Sequence, residues 1–179
     1  MKNFIQKLGW AWRYFLILFN KRIQLRGFVK IDRNVQWIVE PGSKIIIGKN
    51  VEIRRFTVIA AQGEGVLEIE DHVFIAHGVT IMAGKQVRIG QHTMIAEYVS
   101  IRDTDHNYQN HPEKPLNERG SVSLPTLIED NVWVGAKSTI NKGIRIQSDA
   151  IIGANSVVTK DVPARTVVVG APAKPIKEY

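Results

Sequence analysis

The stretch from Ile128 to Val158 leaves few folds open. Cut in sixes it reads IEDNVW, VGAKST, INKGIR, IQSDAI, IGANSV and VTKDVP, and every block opens on Ile or Val. A period of six is not helical, and it resets too often for one long strand of alternating faces. It fits a short extended piece, a corner and another short extended piece. Such a unit cannot bury its apolar side chain alone, so successive units must stack. The spacing predicts an all-β chain wound as a parallel β-helix.

The register runs backward through the chain. Ile47, Ile53 and Ile59 form one triplet, Ile69, Ile75 and Ile81 the next, and Ile89, Ile95 and Ile101 a third. Two more follow without a break from 128 to 158, which predicts about five full coils, with Ile31 and Trp37 as a partial coil that starts the stack. Extra residues fall only between triplets, after Trp37, Ile59, Ile81 and Ile101. Insertions therefore leave from one corner of a three-sided coil. The second place in each block is often small (Gly48, Ala76, Gly90, Gly135, Gly153), as a corner needs for unusual dihedrals or close approach. Small polar or aliphatic residues recur at the fifth place, as in Val51, Thr57, Val73, Thr93, Val132, Ser138 and Ser156.

The net charge of +7 sits unevenly: Lys2, Lys7, Arg13, Lys21, Arg22 and Arg26 supply six of the seven charges. The basic balance is thus a property of the N-terminus and predicts no nucleic-acid surface. Phe4, Leu8, Trp12, Phe15, Phe19 and Ile23 recur at helical spacing, so residues 1–26 are expected to form a basic amphipathic helix. That helix either covers the open end of the stack or lies on an anionic membrane surface. Its apolar run is too short to span a bilayer, and no signal-peptide cleavage site follows it. The expected place is the cytoplasm, with contact to the inner membrane face through this segment. Without Cys, a disulfide framework, a thiolate zinc site and a cysteine nucleophile are all excluded.

The segment VWVGAKSTINKGIRIQSDAIIGANSVVTKDVP, followed by VVVGAPAKPIK, resembles the end of the hexapeptide-repeat acyltransferases. Among these it is similar to the maltose and galactoside O-acetyltransferases and to the acetyltransferases of bacterial surface polysaccharides. MIAEYVSIRDTDH matches the stretch that carries their catalytic histidine. The resemblance covers about residues 28–177. It implies a left-handed parallel β-helix over 27–166, a tail over 167–179 that completes a coenzyme A site, and a homotrimer with its sites between subunits. It also implies an acetyl-CoA-dependent O-acetyltransferase acting on a sugar, in surface-polysaccharide synthesis, with no metal.

After Ile101 the register breaks into RDTDHNYQNHPEKPLNERGSVSLP, a long polar loop over 103–125 of the kind that carries function. The resemblance places the general base on His106, at its root; imidazole titrates near neutrality and suits proton removal from a hydroxyl. Asp103 is the candidate to orient it. Asp105 is disfavoured, because neighbours in an extended segment face opposite ways. The family's sugar-binding asparagine aligns with Ala76, beside His77, and that departure leaves the acceptor open while His77 is offered as a cleft residue. On the donor side the resemblance implies contacts from Ala136, Ala154, Thr159 and Lys160, with Lys174 and Lys177 near the nucleotide phosphates; Trp133 either flanks the thioester arm or faces a neighbouring subunit. Three other readings stand beside this one: N-acetylation of an amino sugar or antibiotic, a zinc hydratase using His72, His106 and His111, and a non-enzymatic assembly module. His92 is expected to face solvent.

Overall fold

A computed structural model describes Ile17 and residues 20–179. Six coils stack in parallel. Coil one is β1 (Ile23–Leu25), β2 (Val29–Ile31) and β3 (Gln36–Val39); coil two is β4 (Lys44–Ile47), β5 (Val51–Ile53) and β6 (Val58–Ala61). Coil three is β7 (Val66–Ile69), β8 (Phe74–Ile75) and β9 (Thr80–Ala83); coil four is β10 (Gln86–Ile89), β11 (Met94–Ile95) and β12 (Ser100–Arg102). A hairpin of β13 (Thr104–His106) and β14 (Ser121–Ser123) follows, then coil five, β15 (Thr126–Ile128), β16 (Trp133–Val134) and β17 (Thr139–Ile140). Coil six is β18 (Arg145–Ile146), β19 (Ile151–Ile152) and β20 (Val157–Val158). The first, second and third strands of successive coils line up as three flat walls.

The register is the one the hexads dictate. Ile47 pairs with Ile69, Ile69 with Ile89, Ile89 with Ile128 and Ile128 with Ile146 on the first wall. All fifteen leading residues from Ile47 to Val158 are buried in one continuous core. β-branched chains suit this, since each sits in a pleated column between near-identical neighbours. The fifth-place residues also point inward. Where they carry hydroxyls, these bond to the next turn of the stack: Thr57 Oγ1 donates to Ala76 O at 3.1 Å, Ser138 Oγ donates to Gly153 O at 2.9 Å, and Ser156 Oγ accepts from Gly170 N at 3.1 Å. Burial without such partners would be costly.

Three expectations are corrected. Ile23–Leu25 is a strand paired with β4, with Leu25 opposite Ile47, so it belongs to the first coil and not to a helix. Leu25 thereby completes the triplet with Ile31 and Trp37, and the stack has six full coils where five were expected. Positions 1–16, 18 and 19, where most of the expected helix falls, lie outside the described residues. The small second-place residues serve close approach rather than unusual dihedrals: a Cβ on Gly135 would stand 2.7 Å from Ala154 N. The left-handed backbone falls instead on the fourth place, at Asn50, Phe56, His72, Gly78, His92, Tyr98, Asn131, Lys137, Asp149 and Asn155.

Beyond coil six the stack continues. β21 (Thr166–Val169) pairs in parallel with β19, and β22 (Lys174–Glu178) folds back antiparallel on β21 to end the second wall. Among the described residues no helix is long and apolar enough to cross a membrane.

Candidate active site

Every insertion leaves the corner between the third and first walls, and the longest one builds the site. Residues 103–125 rise as the β13–β14 hairpin, with Thr104 opposite Ser123 and His106 opposite Ser121. The Thr104 and Ser123 hydroxyls meet at 2.8 Å across it. Gly84 lies beneath, where a Cβ would collide with Thr104 Oγ1, so the turn after coil three must lack a side chain for the hairpin to sit down. Farther out, Arg119 holds the loop's return by donating to the carbonyls of Lys114, Tyr108 and Pro112 at 2.7, 3.1 and 3.1 Å.

The hairpin and the third wall enclose an open cleft of about 240 Å³, lined by His106, Asp105, Thr104, Arg102, Met82, Gln62, Gly84 and Ser121. His106 is exposed to it. Among the described residues nothing hydrogen-bonds the imidazole, which leaves both ring nitrogens for a ligand. That geometry suits a group meant to take a proton from something bound in the cleft.

Asp103, expected to orient His106, makes no hydrogen bond to the imidazole. The carboxylate is fully buried and accepts from Gly84 N at 2.7 Å, Lys85 N at 2.7 Å, Gln86 N at 2.6 Å and Thr104 Oγ1 at 2.8 Å. Four donors use its lone-pair sites. The residue ties the hairpin root to the turn of the coil below. Asp105 does face the cleft, paired with Lys142 Nζ at 2.6 Å. It makes no hydrogen bond to His106, and both neighbours reach the lining because the hairpin rims the cleft.

Arg102, Met82 and Gln62 are the lining residues that sequence reasoning passed over. A usable signal existed: Arg102 follows the leader Ile101, Met82 follows Ile81, and the two are paired on adjacent strands. Both face outward on the third wall, Arg102 on the strand that delivers the insertion and Met82 on the strand beneath it.

The other expected residues are spread over neighbouring surfaces. Ala76 is buried at the corner between the second and third walls, and His77 beside it is exposed, edge-on to Tyr98 at 5.3 Å between ring centroids. Neither lines the His106 cleft. Ala136 and Ala154 occupy that same corner in coils five and six, where Asn155 N donates to Ala136 O. Thr159 and Lys160 leave the opposite edge of the third wall after β20. Lys174 and Lys177 lie exposed on β22, and Trp133 stands half-exposed on the second wall between Met94 and Ile151. The turn through Gly170 and Ala173 meets the third wall, bonding Val157 from both sides.

The histidines of the zinc reading stand apart. His72 stacks on His92 at 4.8 Å and 3° in a corner column, and His111 meets Glu113 at 3.2 Å in the loop. Among the described residues no group of three ligating side chains converges on a metal-sized site.

The family model for the bacterial transferase hexapeptide, six repeats, matches residues 125–160. An Escherichia coli K12 protein named as a lipopolysaccharide biosynthesis O-acetyl transferase, WbbJ, is 33% identical over 181 residues, covering 89% of this chain and 92% of its own. A dTDP-4-amino-4,6-dideoxy-D-glucose acyltransferase of Escherichia coli is 36% identical, covering 87% and 86%. Among solved structures, AntD, an N-acyltransferase from Bacillus cereus crystallised with dTDP and coenzyme A, superposes with a TM-score of 0.77 at 20% identity, over 93% of this chain and 88% of that one. At that identity the likeness is one of fold.

Proposed function

The chain belongs to the hexapeptide-repeat acyltransferases, and from that premise we propose that it carries acetyl from acetyl-CoA to a hydroxyl of a sugar in bacterial surface-polysaccharide synthesis. The observation that carries this reading is the free imidazole of His106 in a cleft at the root of the insertion. His106 takes the proton of the acceptor hydroxyl as the oxygen attacks the thioester carbonyl. Backbone donors stabilise the oxyanion. The thiolate of coenzyme A leaves and receives the proton back from His106. With no Cys in the chain, direct transfer needs no acyl-enzyme.

The donor fits the C-terminal half of the third wall. Ser100, Thr139 and Val157 form one outward column, flanked by the small residues Ala136 and Ala154, and strands about 4.8 Å apart offer a flat bed for the pantetheine arm. Lys160, exposed after β20, and Lys174 and Lys177, exposed on β22 at the end of the second wall, pair with no carboxylate among the described residues, as point-charge partners of phosphates require. Trp133, on the second wall, faces a neighbouring subunit or the arm. We take the working form to be a homotrimer with the cleft completed between subunits. A monomeric mass by light scattering would remove that part of the reading.

A second reading, N-acetylation of an amino sugar, is favoured by the relative named as the acyltransferase of an amino sugar. The test is coenzyme A release from acetyl-CoA with paired acceptors that differ only in hydroxyl or amine at one carbon. Turnover with the hydroxyl member and a raised KM for acetyl-CoA in Lys160→Ala, Lys174→Ala and Lys177→Ala are expected. Turnover confined to amines would move the protein to the second reading, and unchanged donor KM in all three variants would return the lysines to the solvated surface.

A further inference from the structure

The cleft reaches away from the donor bed. Gln62 and Met82 come from coils two and three, below His106, whereas the proposed donor bed runs the other way, from Ser100 in coil four through coils five and six and beyond. The acceptor half is therefore the part toward the N-terminal coils, and its floor holds one full positive charge. Arg102 is exposed on the outward face of β12, and its recorded polar contact is a hydrogen bond from Nη2 to the neutral Ser100 Oγ at 3.3 Å. Among the described residues no carboxylate stands in ion-pair range of its guanidinium. Elsewhere Arg26, Arg54, Arg88, Arg145 and Arg165 each meet a carboxylate, and Arg119 is used up on three carbonyls.

The acids near the cleft are already committed. Asp105 is paired with Lys142. Asp103 is buried beneath four donors. Glu40, behind Gln62, accepts from Gln62 Nε2 at 3.1 Å and from Gly63 N at 2.9 Å. The fork of Arg102 is thus left over, beside Met82 and within the same lining as the imidazole. A planar guanidinium with free donors matches the two oxygens of a carboxylate or phosphate.

We propose that Arg102 is a specificity-determining residue that reads an oxyanion on the acceptor: the acceptor sugar bears a carboxylate or a phosphate near the hydroxyl to be acylated. This rests on the acetyl-transfer reading for its role in catalysis, but not for the binding itself.

The experiment has a kinetic and a binding arm. Acetyl-CoA turnover is measured with a neutral hexose, the corresponding hexuronate and the corresponding hexose phosphate, on the full chain and on Arg102→Gln, Arg102→Lys and Arg145→Gln. The last removes the same charge from the first wall. The unaltered chain should prefer an anionic acceptor, and Arg102→Gln should lower kcat/KM for it by roughly 10–100-fold through KM, the worth of hydrogen bonds to a charged group. Arg102→Lys should fall between, and neutral acceptors and Arg145→Gln should change little. Equal use of neutral and anionic acceptors, or a loss in Arg102→Gln shared by every acceptor, overturns the proposal. In the binding arm the hexuronate and hexose phosphate are titrated without acetyl-CoA. Binding of either, weakened in Arg102→Gln and not in Arg145→Gln, supports the proposal even if nothing is turned over, a result that would instead sink the acetyl-transfer reading. Absence of binding, or equal affinity in both forms, overturns it, as when a neighbouring subunit covers the guanidinium. The better binder of the two tells carboxylate from phosphate.

Discussion

The two corners that flank the third wall are built differently. At the corner shared with the second wall every coil turns on a residue with positive φ, and its amide donates to the coil before, as Phe56 N does to Asn34 O and Lys137 N to Glu97 O. That closure repeats without an inserted residue. At the corner shared with the first wall the coils differ: coil five, with no inserted residue, turns on Gly143, whose amide donates to Leu124 O, while other turns add side-chain caps. Glu40 caps the turn at Gly63, Asp103 caps the turn at Gly84 to Gln86, and Thr126 Oγ1 donates to the carbonyls of Arg102 and Asn141 at 3.2 Å each. A backbone-closed corner dictates its own length. The turns that take side-chain caps vary in length, and on one of them the hairpin that carries His106 is grafted.

The first way to sharpen this contrast is to remove function without touching structure. His106→Ala should lower turnover by about 10²–10⁴-fold, with acetyl-CoA affinity and melting temperature nearly unchanged, because the ring makes no hydrogen bond to the described residues. His106→Asn should behave alike. Near-normal turnover in a folded His106→Ala protein would mean that the base lies elsewhere. The converse change is Ile53→Ala, inside coil two and far from the hairpin. A vacated column site in a packed core costs about 2–5 kcal/mol. Denaturant unfolding should show that loss, and the turnover of the remaining folded molecules should hold.

Between the two lies the anchor. Asp103→Asn keeps the shape but sets an amide NH2 against backbone donors and leaves at least one unsatisfied, about 1–3 kcal/mol. Because the hairpin root is what it ties down, kcat should fall with it while KM for acetyl-CoA stays. A direct orienting role would predict a shifted pH–rate profile at unchanged stability, and that result would restore it.

The smallest effect sits on the first wall. Burial of Glu129 would raise its pKa, but hydrogen bonds from Arg145 and from Ser148 N and Oγ outweigh that and hold it below its ordinary 4.5. A carboxylate with a lowered folded pKa adds stability that is full above its unfolded pKa and fades as pH falls through the folded one. Glu129→Gln should therefore cost about 1 kcal/mol at neutral pH, and the gap should close on acidification below 4.5. A gap that persists there would make the loss one of packing, not charge.

Much of this protein is legible in its hexads. A six-residue period with Ile or Val at its head fixes which side chains point inward, which strands neighbour one another and which corner can lengthen, because each follows from local alternation and stacking. The root of the excursion, and hence the neighbourhood of His106, follows from the same count. Leu25 escaped that count because a helical reading of residues 1–26 competed for it, and pairing with Ile47 settled the matter. Tertiary structure alone decided what the loop does on its return. Asp103 and His106 are three residues apart, yet one points into the core to meet the turn of another coil and the other into the cleft. Arg102, Met82 and Gln62 meet only because coils two, three and four are stacked. Side-chain partners across coils are distant in sequence and depend on which donors the backbone leaves unpaired, and no periodicity records that.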